Sequence, residues 1–315
     1  MIQADLRPLG AGEILDRSVT LFVRFFWPLA LILALFVVPL SVVSYFTESD
    51  SMAKMLGDFQ RYLAIPPGHP AQQRAVLEEI NRSNHFGVSS WLSIALALLL
   101  APLITTACAI VVDRRYRGVF ITAADAFREA ARRWIAQIVT DIIYIVLYVA
   151  LVAAVVIGTL VTAAISIAIF AISHVVGLIV GIPLGLLLFA GCVGALVLLF
   201  LAWQLAYVCI SIEDAHPGRA VGRSLRRTFG RATFWRSLLT ALIFFTIFFV
   251  GSLVVESAGG LLGIMTHVKA IGTIAEAIGS IVLNALIVCY LVVYSYDVRV
   301  RREGYDLALA SQAPL

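Results

Sequence analysis

Between Ile135 and Ile212 the chain carries one formal charge, Asp141, in 78 residues. As a single helix these residues would reach about 117 Å, several times the ~30 Å hydrocarbon core of a bilayer. The segment must fold back at least once while staying in an apolar medium. The rest of the chain has the same character, with 61% apolar and 13% charged residues overall. A water-facing domain sits nearer ~45–50% and ~25%. The sequence therefore reads as one all-α domain, residues 1–315, built as a polytopic membrane helix bundle.

Apolar runs place spans at about 25–45, 89–112, 137–165, 184–212, 235–255 and 274–296. Phe25, Phe26 and Trp27 open the first as interfacial aromatics. Asp5, Arg7, Glu13, Asp16 and Arg17 precede it, so no cleavable leader is expected and this stretch stays as a span. Charge decides the count between 135 and 212. Six arginines lie in 113–136 and six in 213–236. The positive-inside bias puts both groups on the cytoplasmic side, which requires an even number of crossings between them. The fold-back then falls around Ser166 to Pro183, punctuated by Ser173, His174, Gly177, Gly181 and Pro183, and it reads as too long for a tight turn. A plain loop and a re-entrant piece both fit. Six spans leave 18 of the 23 basic residues on one side, all of them arginine, and put both termini in the cytoplasm.

The spans fall into three pairs, each preceded by an amphipathic stretch suited to the headgroup plane. Leu15, Val19, Phe22 and Phe26 form the first apolar stripe; Phe127, Ala131, Trp134 and Ile138 the second; Val221, Leu225 and Phe229 the third. Thr122 with Asp125 caps the second. Asp16-Arg17-Ser18 parallels Gly222-Arg223-Ser224, and Cys108-x4-Asp113 parallels Cys209-x4-Asp214, while Cys289 and Asp297 repeat the order more widely. Internal duplication is common in membrane folds. Residues 46–88 form an outer segment with helices expected near 51–64 and 70–83, broken by Pro66-Pro67-Gly68. The four cysteines sit in or at the ends of apolar runs and read as buried reduced thiols.

The segment from Leu6 to Arg17, the Arg223-Ser224-Leu-Arg226 stretch and the closing run from Tyr296 through Asp297, Arg299, Arg301, Arg302, Glu303 and Gly304 to Asp306 resemble one family. These are bacterial six-helix proteins related to the membrane domain of glycerophosphoryl diester phosphodiesterases. The resemblance covers nearly the whole chain. It implies the fold and a multi-pass place in the bacterial cytoplasmic membrane. In the family's namesake a separate soluble barrel carries the catalysis; nine residues follow Asp306 here, so no barrel and no phosphodiesterase activity are expected.

No catalytic pattern stands out. His69, His85, His174, His216 and His267 lack metal-ligand spacing, and neither a nucleotide loop nor a nucleophile elbow is present. No metal, no cofactor and no enzymatic activity are expected. The one intramembrane carboxylate is Asp141, about 10 Å along the third span from Trp134. Gln137, Asp141, Tyr144 and Tyr148 share a helical face; Gln204, Tyr207 and Ser211 make a stripe on the fourth span, and Asn284 on the sixth could join them. Such a set is either a buried network holding two helices together or a polar site open to the cytoplasm for a headgroup, ion or small solute. The first is favoured, because Asp141 is shallow enough to reach interfacial water.

The arginine clusters serve topology, and Arg114, Arg115, Arg132, Arg133, Arg223, Arg226, Arg227, Arg299 and Arg301 are also candidate contacts for anionic lipid headgroups. Nucleic acid is excluded as a partner, since the basic loops are short and lie against the bilayer. The stripe Gly177-x3-Gly181-x3-Gly185 permits close helix packing. Three functions remain. The first is a non-catalytic module scaffolding or assisting an envelope or lipid process, with a membrane-protein partner or a second copy. The second is a transporter or channel for a small or amphipathic solute. The third is an enzyme acting on lipid headgroups.

Overall fold

The computed structural model describes residues 7–47, 60–62, 64–65, 70–83, 88–231, 234–266 and 268–304. In chain order its helices are α1 (Ala11–Thr47), α2 (Pro70–Ser83), α3 (Val88–Tyr116), α4 (Ala123–Arg132), α5 (Trp134–Ile172), α6 (His174–Glu213), α7 (Pro217–Phe229), α8 (Phe234–Thr266) and α9 (Lys269–Glu303). No strand occurs among the described residues. Five helices, α1, α5, α6, α8 and α9, are long and apolar enough to cross a membrane. The helix expected over 51–64 lies largely outside the described residues; the one over 70–83 is α2.

The amphipathic stretches and the apolar runs meet at backbone breaks. In α1 the break is Phe25 (φ −115°, ψ 19°). Pro28 lies three residues further on, lacks an N–H and crowds the carbonyl of Arg24, which accounts for the kink. Between α4 and α5 the break is Arg133, with nearly the same backbone (φ −104°, ψ 2°). Between α7 and α8 it is the segment from Gly230. Each amphipathic piece has its own start signal. At α1, Glu13 accepts from the Gly10 N–H at 2.7 Å. That bond, and then Arg7, hold the Glu13 carboxyl below its ordinary range. At α4 the Thr122 hydroxyl accepts from the Asp125 N–H at 3.2 Å, the cap expected from the sequence. At α7, Pro217 fills the first turn, where its missing N–H costs nothing.

The arginine-bearing segments gather at one end of the bundle around the last third of α9. Every residue from Ile287 to Val298 is buried, as expected of a helix enclosed by neighbours on all sides. Helices α1, α3, α6 and α8 all pack on α9. Its carboxylate Asp297 accepts from the Leu9 N–H at 2.8 Å, Arg236 at 2.8 Å and Arg301 at 3.0 Å, which ties the N-terminal segment and α8 to α9. Asp113 on α3 accepts from the Tyr296 hydroxyl and from Arg117. Glu213, the last residue of α6, accepts from Arg227 at 2.6 Å and Arg223 at 2.9 Å on α7. Helices α3, α6 and α9 each bring one ion-paired carboxylate to this end, Asp113 and Asp297 buried and Glu213 half-buried.

That arrangement corrects the parallel drawn from Cys209-x4-Asp214. Asp214 is exposed and closes α6 in the left-handed region (φ 52°), where aspartate is tolerated. Its neighbour Glu213 takes the inward position. A helix that ends one residue earlier turns a different side chain inward, and spacing alone does not fix where the helix stops. The cysteines read as buried hold for Cys108, Cys209 and Cys289, with Cys192 half-buried and all four free.

At the opposite end the helices form long hairpins. Helices α5 and α6 have 39 and 40 residues, about 58–60 Å each, and Ser173 alone (φ −154°, ψ 117°) separates them. The fold-back is therefore neither a loop nor a re-entrant piece over 166–183. At about 58–60 Å each helix is twice the ~30 Å hydrocarbon core, so the helices run on through Gly181 and Pro183 beyond the core before one residue reverses the chain. Beyond Tyr144 this hairpin is largely exposed, and an open groove of about 350 Å³ runs along it past Thr159, Ser166 and Gly181. A second groove of about 330 Å³ lies between α1 and α9, from Val38 to Phe46 and from Ala270 to Ile281. Lys269 closes its rim, donating to the Tyr45 carbonyl at 3.0 Å.

Candidate functional site

Asp141 sits two turns into α5, where α6 packs alongside, and is 4% exposed. Its Oδ1 accepts from the Trp203 indole N–H at 2.8 Å and from the Tyr207 hydroxyl. Both donors lie on α6, four residues apart, so they share one helical face. The Trp203 ring stacks on Tyr144 (centroids 6.0 Å, planes 8° apart) and leans on Tyr148 at 5.6 Å. Tyr144 reaches past it to Ser224 on α7, hydroxyl to hydroxyl at 2.6 Å. Tyr148 donates to the Leu196 carbonyl at 3.4 Å. One side chain network thus fastens α5 to α6 and to the amphipathic helix α7.

Four of the eight polar residues singled out in the sequence, Asp141, Tyr144, Tyr148 and Tyr207, come together here, whereas Ser211 donates to the Val208 carbonyl of its own helix at 3.1 Å. Gln137 lies one turn before Asp141 and is fully buried. Gln204 is half-buried and makes no bond to Asp141 among the described residues. Asn284 is not part of the site: it donates to the Ser280 carbonyl of its own helix at 2.8 Å. Trp203 is the residue that sequence reasoning missed. Its signal was an indole N–H inside a long apolar run, which needs an acceptor when buried.

A difference between two substitutions reports on this network. Asp141→Leu leaves the Trp203 and Tyr207 donors without an acceptor, a loss of roughly 1–3 kcal/mol for each group. Asp141→Asn keeps an acceptor oxygen in place. Thermal unfolding in detergent should show Asp141→Leu clearly less stable than Asp141→Asn; equal melting would mean the network holds nothing.

The arginines divide into inward and outward groups. Arg227 is buried, with donors on Glu213 at 2.6 Å, Glu303 at 2.6 Å and Cys209 Sγ at 3.1 Å. Burial alone would lower its pKa; Cys209, Glu213 and Glu303 more than offset that and leave it raised. Arg133 donates to the Ser211 carbonyl and pairs with Glu129 and Asp214, each at 3.2 Å. Arg223 pairs with Glu213, and Arg301 with Asp297. Arg299 approaches Glu213 and Glu303 at 3.7 and 3.8 Å. Arg114 pairs with Glu129 at 3.5 Å, and Arg115 donates to the Ile121 carbonyl while lying over the Phe25 and Phe120 rings. Arg132, Arg223, Arg226 and Arg301 are exposed, and of these Arg223 and Arg301 are ion-paired. Among the described residues no group of three or more His, Cys, Asp or Glu side chains is placed to hold a metal ion. No family model, curated protein or solved structure matches the chain.

Proposed function

We propose that the chain is a non-catalytic, six-span module of the bacterial cytoplasmic membrane, with both termini inside, that scaffolds or assists a lipid-related envelope process. In this reading α3 supplies the sixth span, and the chain consists of three copies of one unit: amphipathic helix, break, outgoing helix and returning helix. The observation that carries it is the contrast between the two ends. Ion pairs and buried carboxylates lock the arginine-rich end, whereas the other end opens into apolar grooves between helices. A rigid cytoplasmic platform with open, lipid-exposed hairpins suits a protein that engages lipids or a membrane partner. The break geometry shared by Phe25 and Arg133 supports the repeat, and so does the presence of one ion-paired carboxylate per unit. The likeness to the membrane domain of glycerophosphoryl diester phosphodiesterases points the same way.

Headgroup contact belongs in this reading to Arg132 and Arg226, which face outward. Each is worth about 1 kcal/mol near an anionic leaflet, or roughly fivefold in affinity. Native mass spectrometry of the protein released from mixed anionic and zwitterionic nanodiscs tests this. Anionic phospholipid should be retained preferentially and lost several-fold in the Arg132→Ala/Arg226→Ala variant. Equal retention of both lipid types would count against the reading.

A further inference from the structure

Around Asp141 the hydrogen-bond accounting does not close. Oδ1 has two donors, yet Oδ2 is buried with no partner among the described residues. One turn earlier Gln137 is fully buried, and both its amide oxygen and its amide nitrogen are likewise unpartnered. Thr140, between them in sequence, is satisfied by the Ala136 carbonyl at 2.9 Å. Three polar atoms on two side chains at i and i+4 therefore lie side by side on one face with nothing from the protein to bond. Buried amides and carboxylates are hydrogen-bonded in the great majority of cases, so such a group needs its own explanation.

Charge narrows the explanation. Among the described residues no cation pairs with Asp141, and both groups bonded to it are neutral. The titratable groups around it are Tyr207 on α6 and Tyr144 and Tyr148 on α5. Arg133, two turns earlier, is taken up by Ser211, Glu129 and Asp214. On α7, Arg223 and Arg227 are paired with Glu213; on α3, Asp113 is bonded to Tyr296 and Arg117, and Arg114 to Glu129. An uncompensated carboxylate in a low-dielectric interior is too costly to keep. One positive charge would neutralise it. A divalent ion would demand more carboxylates and six or more oxygens.

We propose that Asp141 and Gln137 bind one monovalent cation, a proton or Na⁺, between α5 and α6, with Asp141 Oδ2 and Gln137 Oε1 as its protein ligands. A proton on Oδ2 would be donated to Gln137 Oε1; Na⁺ would be shared by the two oxygens. The proposal goes beyond the scaffold reading and does not depend on it. Toward the arginine-rich end Arg133 lies one turn before Gln137, its carbonyl accepting from the Gln137 N–H at 3.2 Å. Its charge is offset by Glu129 and Asp214, so it does not repel a cation at the pair.

Trp203 supplies the probe, since its indole donates to Asp141. The full chain is purified into nanodiscs, and the Trp203 emission is taken as the difference between the parent and Trp203→Phe. It is followed from about pH 4 to about pH 10, the range spanning carboxylates and tyrosines, in NaCl or in choline chloride of equal strength. A pH transition lost in Asp141→Asn is expected. A midpoint lower in NaCl than in choline identifies Na⁺ as the competing ligand, and equal midpoints identify the proton alone. Gln137→Leu, which keeps the carboxylate, should weaken the site about tenfold, a midpoint shift of about one pH unit. Emission that is flat in both salts overturns the proposal, as does a Gln137→Leu midpoint equal to that of the parent. Should Asp141→Asn fail to fold, the Gln137→Leu comparison decides alone.

Discussion

Arg227→Met is expected to cost about 3–5 kcal/mol, the scale for removing one partner of a buried ion pair. Arg227 sits between Glu213 of α6 and Glu303 of α9, and both acids lose their main donor when it goes. The penalty comes less from the lost attraction than from Glu213, left with Arg223 as its one close donor, since Glu303 is exposed to water. Arg227→Met combined with Glu213→Gln should accordingly be milder than the single change, because one stranded charge is removed with its partner. Arg226, the adjacent exposed residue, is the control: Arg226→Met should stay within about 0.5 kcal/mol of the parent, as surface changes generally do. Thermal unfolding in detergent separates the three. Equal melting of the Arg226 and Arg227 variants would show that the inward network carries no stability.

The second large effect belongs to Gly272. A Cβ there would lie 2.6 Å from the Gly259 carbonyl oxygen and 3.1 Å from the Gly263 Cα, both of them backbone atoms of α8. Neither can turn aside, so the α8–α9 hairpin must open. Overpacking of this kind costs roughly 1–3 kcal/mol, and more when the obstacle is backbone. Gly185 on α6 has nothing within 4 Å of the same position. Alanine is the better helix former by about 1 kcal/mol. Gly185→Ala should therefore leave stability unchanged or raise it, while Gly272→Ala lowers it. Opposite signs for one chemical change isolate the contact from helix propensity. Two changes of the same sign would remove the close approach as a cause.

The contrast also shows which part of the fold could be read from the sequence. The helical class and the clustering of arginines at one end follow from the placement of charge, which bilayer physics constrains tightly. The face that brings Asp141 and Tyr207 together follows from a four-residue period. The fold-back expected around Ser166 to Pro183 falls at Ser173, but as a one-residue break rather than a loop or re-entrant piece, because the helices continue through the glycine and proline punctuation. The regular Gly177, Gly181 and Gly185 stripe drew attention. Gly181 does meet Ser166, at 3.3 Å, but among the described helical glycines the tightest contacts lie at Gly251, Gly259, Gly272 and Gly279, whose uneven spacing hides them. Trp203 does not stand out, because a lone tryptophan in an apolar run does not show which acceptor its indole N–H will meet. Arg227 looked like any other cytoplasmic arginine, because only the packing of α7 against α6 turns it inward.

Topology tests the six-span arrangement most directly. Single cysteines are introduced as Gln72→Cys, Val119→Cys, Ser173→Cys, His216→Cys and Met265→Cys in a background with the four native cysteines replaced, and intact cells are treated with a membrane-impermeant maleimide. Gln72, Ser173 and Met265 lie toward the open end of the bundle and should be labelled from outside. Val119 and His216 lie toward the arginine-rich end and should react only after permeabilisation. If Val119 and His216 fall on opposite sides, an odd number of helices separates them, and the two-ended account is wrong.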